Sequence, residues 1–325
     1  MSSAAPGPAP AAGRGSPILH EAVTAWFDAA ARDLPWRDPG CSPWGVLVSE
    51  FMLQQTPVVR VLPVWRSWLR RWPNPADLAA ESPGEAVRAW GRLGYPRRAL
   101  RLHAAAVEIA GRHGGRVPAG HDQLLALPGV GTYTAAAVAV FAFGDRRTVV
   151  DTNVRRVQAR AVSGRALPSR SLTAAELRLA DELMPPDDAL AVRWNKAVME
   201  LGALICTARS PKCERCPVLG SCAWVAAGRP EPAGAPRGQS WHGTDRQVRG
   251  AIMAVLRAGR EPVPVGHLIG PVDVATGAGP ASDALRALDD LHGLEAPEDQ
   301  RRRALDGLLR DGLAVESAAG ITLPG

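Results

Sequence analysis

At 325 residues the chain can hold one large domain or two smaller ones, and its 46% hydrophobic content builds a core, which excludes a wholly disordered chain. A formal charge of +6 suits a polyanionic partner, but only Lys196 and Lys212 are lysines, and an Arg- and Ala-rich composition weakens charge as a signal. No apolar run approaches the ~20 residues of a membrane helix. Apart from Met1 and Arg14, residues 1–17 are Ala, Pro, Gly and Ser, without a basic start and an apolar centre. They read as a disordered tail rather than a signal peptide, and so predict a cytoplasmic, reducing compartment.

From Pro17 to about Trp224 the periodicity and breakers predict consecutive helices. These include Ile18–Arg32, Pro43–Gln55, Pro57–Arg71, Pro83–Leu93, Arg97–His113, His121–Leu127, Thr132–Phe143, Thr152–Ala161, Thr173–Leu183 and Leu190–Cys206. No clear strand alternation precedes Ala226. Residues 226–243 have the Pro/Gly/Ala composition of a linker. Helices over Thr244–Arg257 and Pro297–Arg310 follow, then a hairpin pairing Leu313–Glu316 with Gly320–Leu323 across Ser317–Ala319. Residues 244–325 therefore read as a small winged-helix-like α+β module, attached to an otherwise all-α chain.

Three features carry chemistry. The first is Cys206-x6-Cys213-x2-Cys216-x5-Cys222, four cysteines in one short run, with Cys41 alone as a half-buried thiol. In a reducing compartment this points to a metal centre rather than disulfides. Zinc and a cubane iron–sulfur cluster both take four thiolates. Zinc sites usually pair two short knuckles, and only Cys213–Cys216 is short here, which favours the cluster. The second feature is Leu127-Pro128-Gly129-Val130-Gly131 between two helices. Two glycines permit a tight turn with positive φ, and the helix starting at Thr132 presents free N–H groups that fit a phosphate. The same turn also serves plain helix packing. The third is a pair of acids. Asp151 follows Val149-Val150 and precedes a helix, where it either caps that helix or catalyses. Glu50 sits in the apolar stretch Trp44–Thr56, where desolvation should raise its pKa unless an Arg pairs with it. A raised-pKa acid beside an ionised one is the pairing that cleaves glycosidic bonds.

Together the cysteine run, Leu127–Gly131 and Asp151 resemble the endonuclease III superfamily of helix–hairpin–helix base-excision glycosylases, from about Trp26 to Trp224. Within it, Leu34–Arg37, Ser49–Thr56, Gly91–Tyr95 and Met199–Cys206 are similar to the adenine DNA glycosylases. The resemblance implies a two-lobed helical glycosylase domain over 18–225, with a [4Fe-4S] loop at 206–222 held by Cys206, Cys213, Cys216 and Cys222. It implies a monomeric, nucleoid-associated enzyme acting on double-stranded DNA that holds an A:8-oxoguanine or A:G mispair. Glu50 matches the acid that protonates adenine N7, and Asp151 the carboxylate facing the cationic sugar carbon. Tyr133 and Asn153 would orient them. Arg32, Trp36 and Glu200 would line the pocket for the extruded base, Gln54 and Tyr95 would enter the duplex, and Gln55 would contact DNA beside them. Leu127, Pro128, Gly129, Val130 and Gly131 would hold a phosphate, with Arg209, Lys212 and Arg215 of the cysteine loop adding contacts. Bifunctional relatives place a Schiff-base Lys where this chain has Tyr133, so hydrolysis without strand cleavage is expected. Residues 244–325 are too short and too helical for the Nudix-like domain typical of the family. A thymine or uracil mismatch glycosylase and a non-catalytic cluster-bearing DNA-binding protein are the alternatives, and the two carboxylates argue against the latter.

Overall fold

The computed structural model describes residues 17–232, 241–270 and 283–325. Expected tail residues 1–16 and linker residues 233–240 lie outside them. The helices are α1 (Pro17–Ala30), α2 (Pro43–Leu53), α3 (Val58–Arg71), α4 (Pro75–Ala79), α5 (Pro83–Trp90), α6 (Arg97–Arg112), α7 (His121–Leu125) and α8 (Thr132–Phe143). They continue as α9 (Thr152–Ala161), α10 (Ala174–Glu182), α11 (Asp188–Leu204), α12 (Ala223–Ala226), α13 (Asp245–Ala258), α14 (Val265–Ile269), α15 (Asp283–His292) and α16 (Glu298–Arg310). The strands β1 (Val315–Ser317) and β2 (Gly320–Thr322) form an antiparallel pair with Glu316 opposite Ile321.

Two compact units are present. The first comprises Met1–Val46, Ala119–Leu125 and Gly131–Pro236. In it α1 and α9 pack on α11 around Val23, Val154, Val157, Leu183, Trp194, Val198 and Leu201. Caps fix the helix starts: the Asp187 carboxylate accepts from the Leu190 N–H at 2.7 Å ahead of α11, and Thr173 with Glu176 makes a capping box on α10. Helix α8 is apolar on nearly every face, and Thr134 to Val140 are all buried, as such a helix requires.

The second unit comprises Leu47–Pro118, Ala126–Val130 and Arg237–Gly325. Its core includes an edge-to-face tryptophan group, with Trp68 centred 4.7 Å from Trp72 and 5.8 Å from Trp90. The C-terminal residues belong to this same unit. Helix α13 packs on α15 and α16, with the β1–β2 hairpin beyond them, the arrangement of a winged helix. Helices α14 and α15 escape the sequence patterns, α14 because it has five residues. Val263 adds a bridge to Ile321, and Gly320 (φ +132°) permits it: a Cβ there would stand 2.5 Å from the Val263 carbonyl oxygen.

The α5 helix anchors this C-terminal part. Arg88 Nη1 donates to the carbonyl of Gly259 at 2.7 Å and to that of Arg257, and the Gly84 N–H donates to Pro324 O at 2.8 Å. A Cβ on Gly84 would lie 2.4 Å from that Pro324 oxygen. Helix propensity alone would make Gly84→Ala stabilising by about 1 kcal/mol. The contact reverses the sign: Gly84→Ala is expected to lower Tm and to speed amide exchange in residues 320–325. A raised Tm would show that the C-terminus is not pinned there.

Candidate active site and cluster loop

In the first unit, Asp151 caps α9. One carboxylate oxygen accepts the Val154 N–H at 2.7 Å and the other accepts from Asn153 Nδ2 at 2.6 Å. Asn153 Oδ1 accepts from Arg156 Nη2 at 2.7 Å, and Arg156 Nε donates to the Cys206 carbonyl at 2.6 Å. An unbroken hydrogen-bonded chain thus runs from Asp151 to the first cysteine of the loop. Gly202 makes room for it, because a Cβ there would come within 2.7 Å of Asn153. Burial pushes the Asp151 pKa up, and the donors from Val154 and Asn153, with the charge of Arg156, only partly offset it. Desolvation thus outweighs the favourable field of the helix start. Tyr133, in the first turn of α8, packs against the cluster of Ala136, Ala137, Val140 and Val149.

The four thiols Cys206, Cys213, Cys216 and Cys222 line one cavity, walled by Ile205, Pro211, Leu219, Trp224 and Val225. Sulfurs spread round a cavity fit the larger cubane group, which takes four thiolates. Arg160 supplies positive charge, donating towards Cys206 Sγ at 3.5 Å and lying 4.7 Å from the Trp224 ring. Arg209, Lys212 and Arg215 are exposed along this loop. Cys41 is a half-buried free thiol, its pKa pushed up to about 11 by burial and by Asp38.

Also in the first unit, Glu200 has no exposed surface. It accepts from Arg32 Nε at 2.7 Å and Nη2 at 2.6 Å, and from Arg37 Nη2 at 2.8 Å. Burial would raise its pKa, but the two guanidinium groups win and hold it down to about 2. Arg32 keeps 34% of its side chain accessible, so it carries the exposed charge of this ion pair. Trp36, buried beside Arg37 in a short 3-10 turn, completes this corner.

In the second unit, Glu50 lies in the last turns of α2, 6% exposed between Ser49 and Phe51, which are fully buried. Beyond α2 come half-buried Gln54 and exposed Gln55, the latter with φ +55°. Tyr95 follows Gly94 with φ +48° and is 57% exposed. The hairpin turn between α7 and α8 closes with Val130 N–H on the Leu127 carbonyl at 3.1 Å. Of its glycines only Gly129 needs positive φ (+78°), and its Cα lies against Arg101 and Phe51. Gly131 has ordinary extended φ; open space surrounds it, and no side chain caps α8 there. Pro128 and Leu127 complete the turn. Arg37, Arg156 and Arg160 are not legible in sequence, because Glu200 and the carbonyls of Gly202, Cys206 and Thr207 that they hold lie far along the chain.

A family model described as "HhH-GPD superfamily base excision DNA repair protein" matches residues 48–182, and one described as "Iron-sulfur binding domain of endonuclease III" matches residues 206–222. The adenine DNA glycosylase of Mycolicibacterium smegmatis is 50% identical over 298 residues, covering 92% of this chain and 93% of its own. The chain belongs to the adenine DNA glycosylase family. DNA glycosylase activity and a [4Fe-4S] cluster in the 206–222 loop follow from that membership. The thymine/uracil-DNA glycosylase of Pyrobaculum aerophilum is 37% identical over 206 residues, 62% of this chain and 89% of its own. A solved thermostable thymine-DNA glycosylase superposes with a TM-score of 0.57 at 29% identity, over 64% of this chain and 94% of that one.

The environment of Asp151 gives a test free of any substrate. Because folding raises this pKa, the folded chain holds the proton to higher pH than the unfolded chain. The associated stability is full at acid pH and is lost as pH rises through the raised value. Asn caps a helix as well as Asp does. Asp151→Asn is therefore expected to match the parent Tm near pH ~4, where an ordinary Asp titrates, and to exceed it at neutral pH. A neutral-pH Tm below the parent's would contradict the burial argument.

Proposed function

We propose that the protein hydrolyses the N-glycosidic bond of adenine mispaired with 8-oxoguanine or guanine, without cutting the strand. The observation that carries this is the extent of the adenine glycosylase similarity: 298 aligned residues of 325 take in most of residues 244–325, whereas the thymine/uracil relative matches 206. Adenine leaves poorly as an anion, so an acid must protonate it. Glu50, a carboxyl in an apolar helix, is assigned that step at adenine N7. Asp151 is assigned the negative charge that stabilises the cationic sugar carbon before water attacks. Tyr133 and Asn153 orient these groups, and Asn153 does so through its bond to Asp151.

The target bond is shielded in stacked duplex, so the base must be extruded at a cost of a few kcal/mol. Gln54 and Tyr95 are assigned to fill the gap, with Gln55 contacting DNA beside them, and Arg32, held by Glu200, with Trp36 to receive the base. Leu127–Gly131 and the uncapped α8 N–H groups hold a phosphate, and Arg209, Lys212 and Arg215 add others. Cys206, Cys213, Cys216 and Cys222 are the cluster ligands, and the cluster's role here is to fold the loop that carries those cations. No Lys stands at the Tyr133 position to form a Schiff base, and the Lys196 ammonium sits 5.9 Å from the Phe141 ring centre.

Duplexes holding A opposite 8-oxoguanine, A opposite G, T opposite G and U opposite G separate the readings. The protein is expected to leave alkali-labile sites at both adenines, with no breakage before alkali. Breakage at T or U alone would overturn the adenine assignment, and breakage without alkali would overturn the hydrolytic one.

A further inference from the structure

We propose that Arg98 is a positioning residue that ties the two loops carrying Gln54 and Tyr95 into one rigid element, so that both side chains enter the duplex as a unit. The inference rests on the reading of Gln54 and Tyr95 as the residues that wedge into DNA. Arg98, at the start of α6, is 6% exposed. Its Nη1 donates to the carbonyls of Phe51 at 2.9 Å, Met52 at 3.2 Å and Gln54 at 2.5 Å. These are the groups that the end of α2 leaves without helical partners. Its Nη2 donates to Thr56 Oγ1 at 3.0 Å and to the Gly94 carbonyl at 3.0 Å. The guanidinium carbon also lies 5.3 Å from the Trp90 ring centre and 5.4 Å from that of Tyr95.

One side chain therefore grips both loops at the residues preceding their strained positions. Gln55 and Tyr95 both adopt left-handed φ, which L side chains keep only when their surroundings enforce it. Thr56 Oγ1 donates to the Leu93 carbonyl at 3.3 Å, a second link between the loops, and Trp90 Nε1 holds the Gly94 carbonyl at 3.0 Å within the Tyr95 loop. Among the described residues Arg98 Nε has no hydrogen-bond partner, and the two terminal nitrogens orient the fork. Burial pushes the pKa down to about 10, which still leaves the group charged at neutral pH. Only a planar fork reaches both loops at once; a Lys ammonium reaches one.

The test uses the full-length, cluster-bearing protein and a duplex with 2-aminopurine beside the mispaired adenine, read by stopped-flow fluorescence at saturating enzyme. Arg98→Met and Arg98→Lys are expected to lose about tenfold or more in base extrusion and in preference for mispaired over matched duplex. Affinity for matched duplex should change less than about twofold, because its phosphate contacts lie elsewhere. Gln54→Ala and Tyr95→Ala should each slow extrusion in the parent, and Tyr95→Ala should add little in the Arg98→Met background. Should Arg98→Met fail to fold, Arg98→Lys and Thr56→Val, which cuts one link between the loops, carry the test. Parent-like extrusion and preference in Arg98 variants, with only Tm lowered, would overturn the proposal. Parent-like extrusion in Gln54→Ala and Tyr95→Ala would overturn the wedge reading itself, and the proposal with it.

Discussion

A carboxylate that loses its water at a helix start must be compensated by fixed donors, and at Asp151 those donors come from α9 itself. The Val154 N–H and the Asn153 amide hold its two oxygens, Arg156 holds Asn153, and the Cys206 carbonyl holds Arg156. Each member has one geometry because the next fixes it. The compensation is incomplete, since burial still raises the Asp151 pKa. A poorly solvated negative charge is what a cationic sugar would stabilise best, so the residual cost to the fold is the condition for the proposed chemistry. The close approach of α11 to α9 at Gly202 leaves room for this chain just before the cysteine loop.

Arginine solves a recurrent problem in both units. Arg88 and Arg98 in the second unit, and Arg155, Arg156 and Arg160 in the first, all donate to backbone carbonyls that regular structure leaves unpaired. A guanidinium offers five donors in a plane and stays charged when buried, which an ammonium does not match. The scarcity of lysine in this chain, which reads as compositional bias in the sequence, is thus consistent with structural demand. The same logic gives Glu200 its place: two arginines hold it ionised with no exposed surface, and Arg32 presents the accessible charge.

What was legible in the sequence followed local chemistry. Helices α8 and α9 have the predicted limits because Gly131 and Gly144 bound the first and Asp151 caps the second. The cysteine spacing announced its cofactor, since ligands close in sequence need no knowledge of the fold. The β1–β2 pairing is legible as two short runs about a turn, although Ser317, expected in the turn, pairs with Gly320 and leaves a two-residue turn. Illegible were the contacts between distant residues. Nothing around Arg37 points to Glu200, and nothing around Arg88 points to the carbonyls of Arg257 and Gly259. Gly131 misled in a smaller way, because a glycine that leaves open space looks in sequence like one that needs unusual φ.

The proposed chemistry divides the labour between Glu50 as acid and Asp151 as ionised carboxylate. The most direct measurement is single-turnover adenine release by Glu50→Gln and Asp151→Asn, with enzyme saturating and product release excluded from the rate. Both variants are expected to bind the mispaired duplex while release falls by roughly 10²–10⁴-fold in each, the range set by loss of one proton-transfer or charge-stabilising group. Release within a few-fold of the parent rate in either variant would contradict that division of labour, and would reduce that carboxylate to a structural acid.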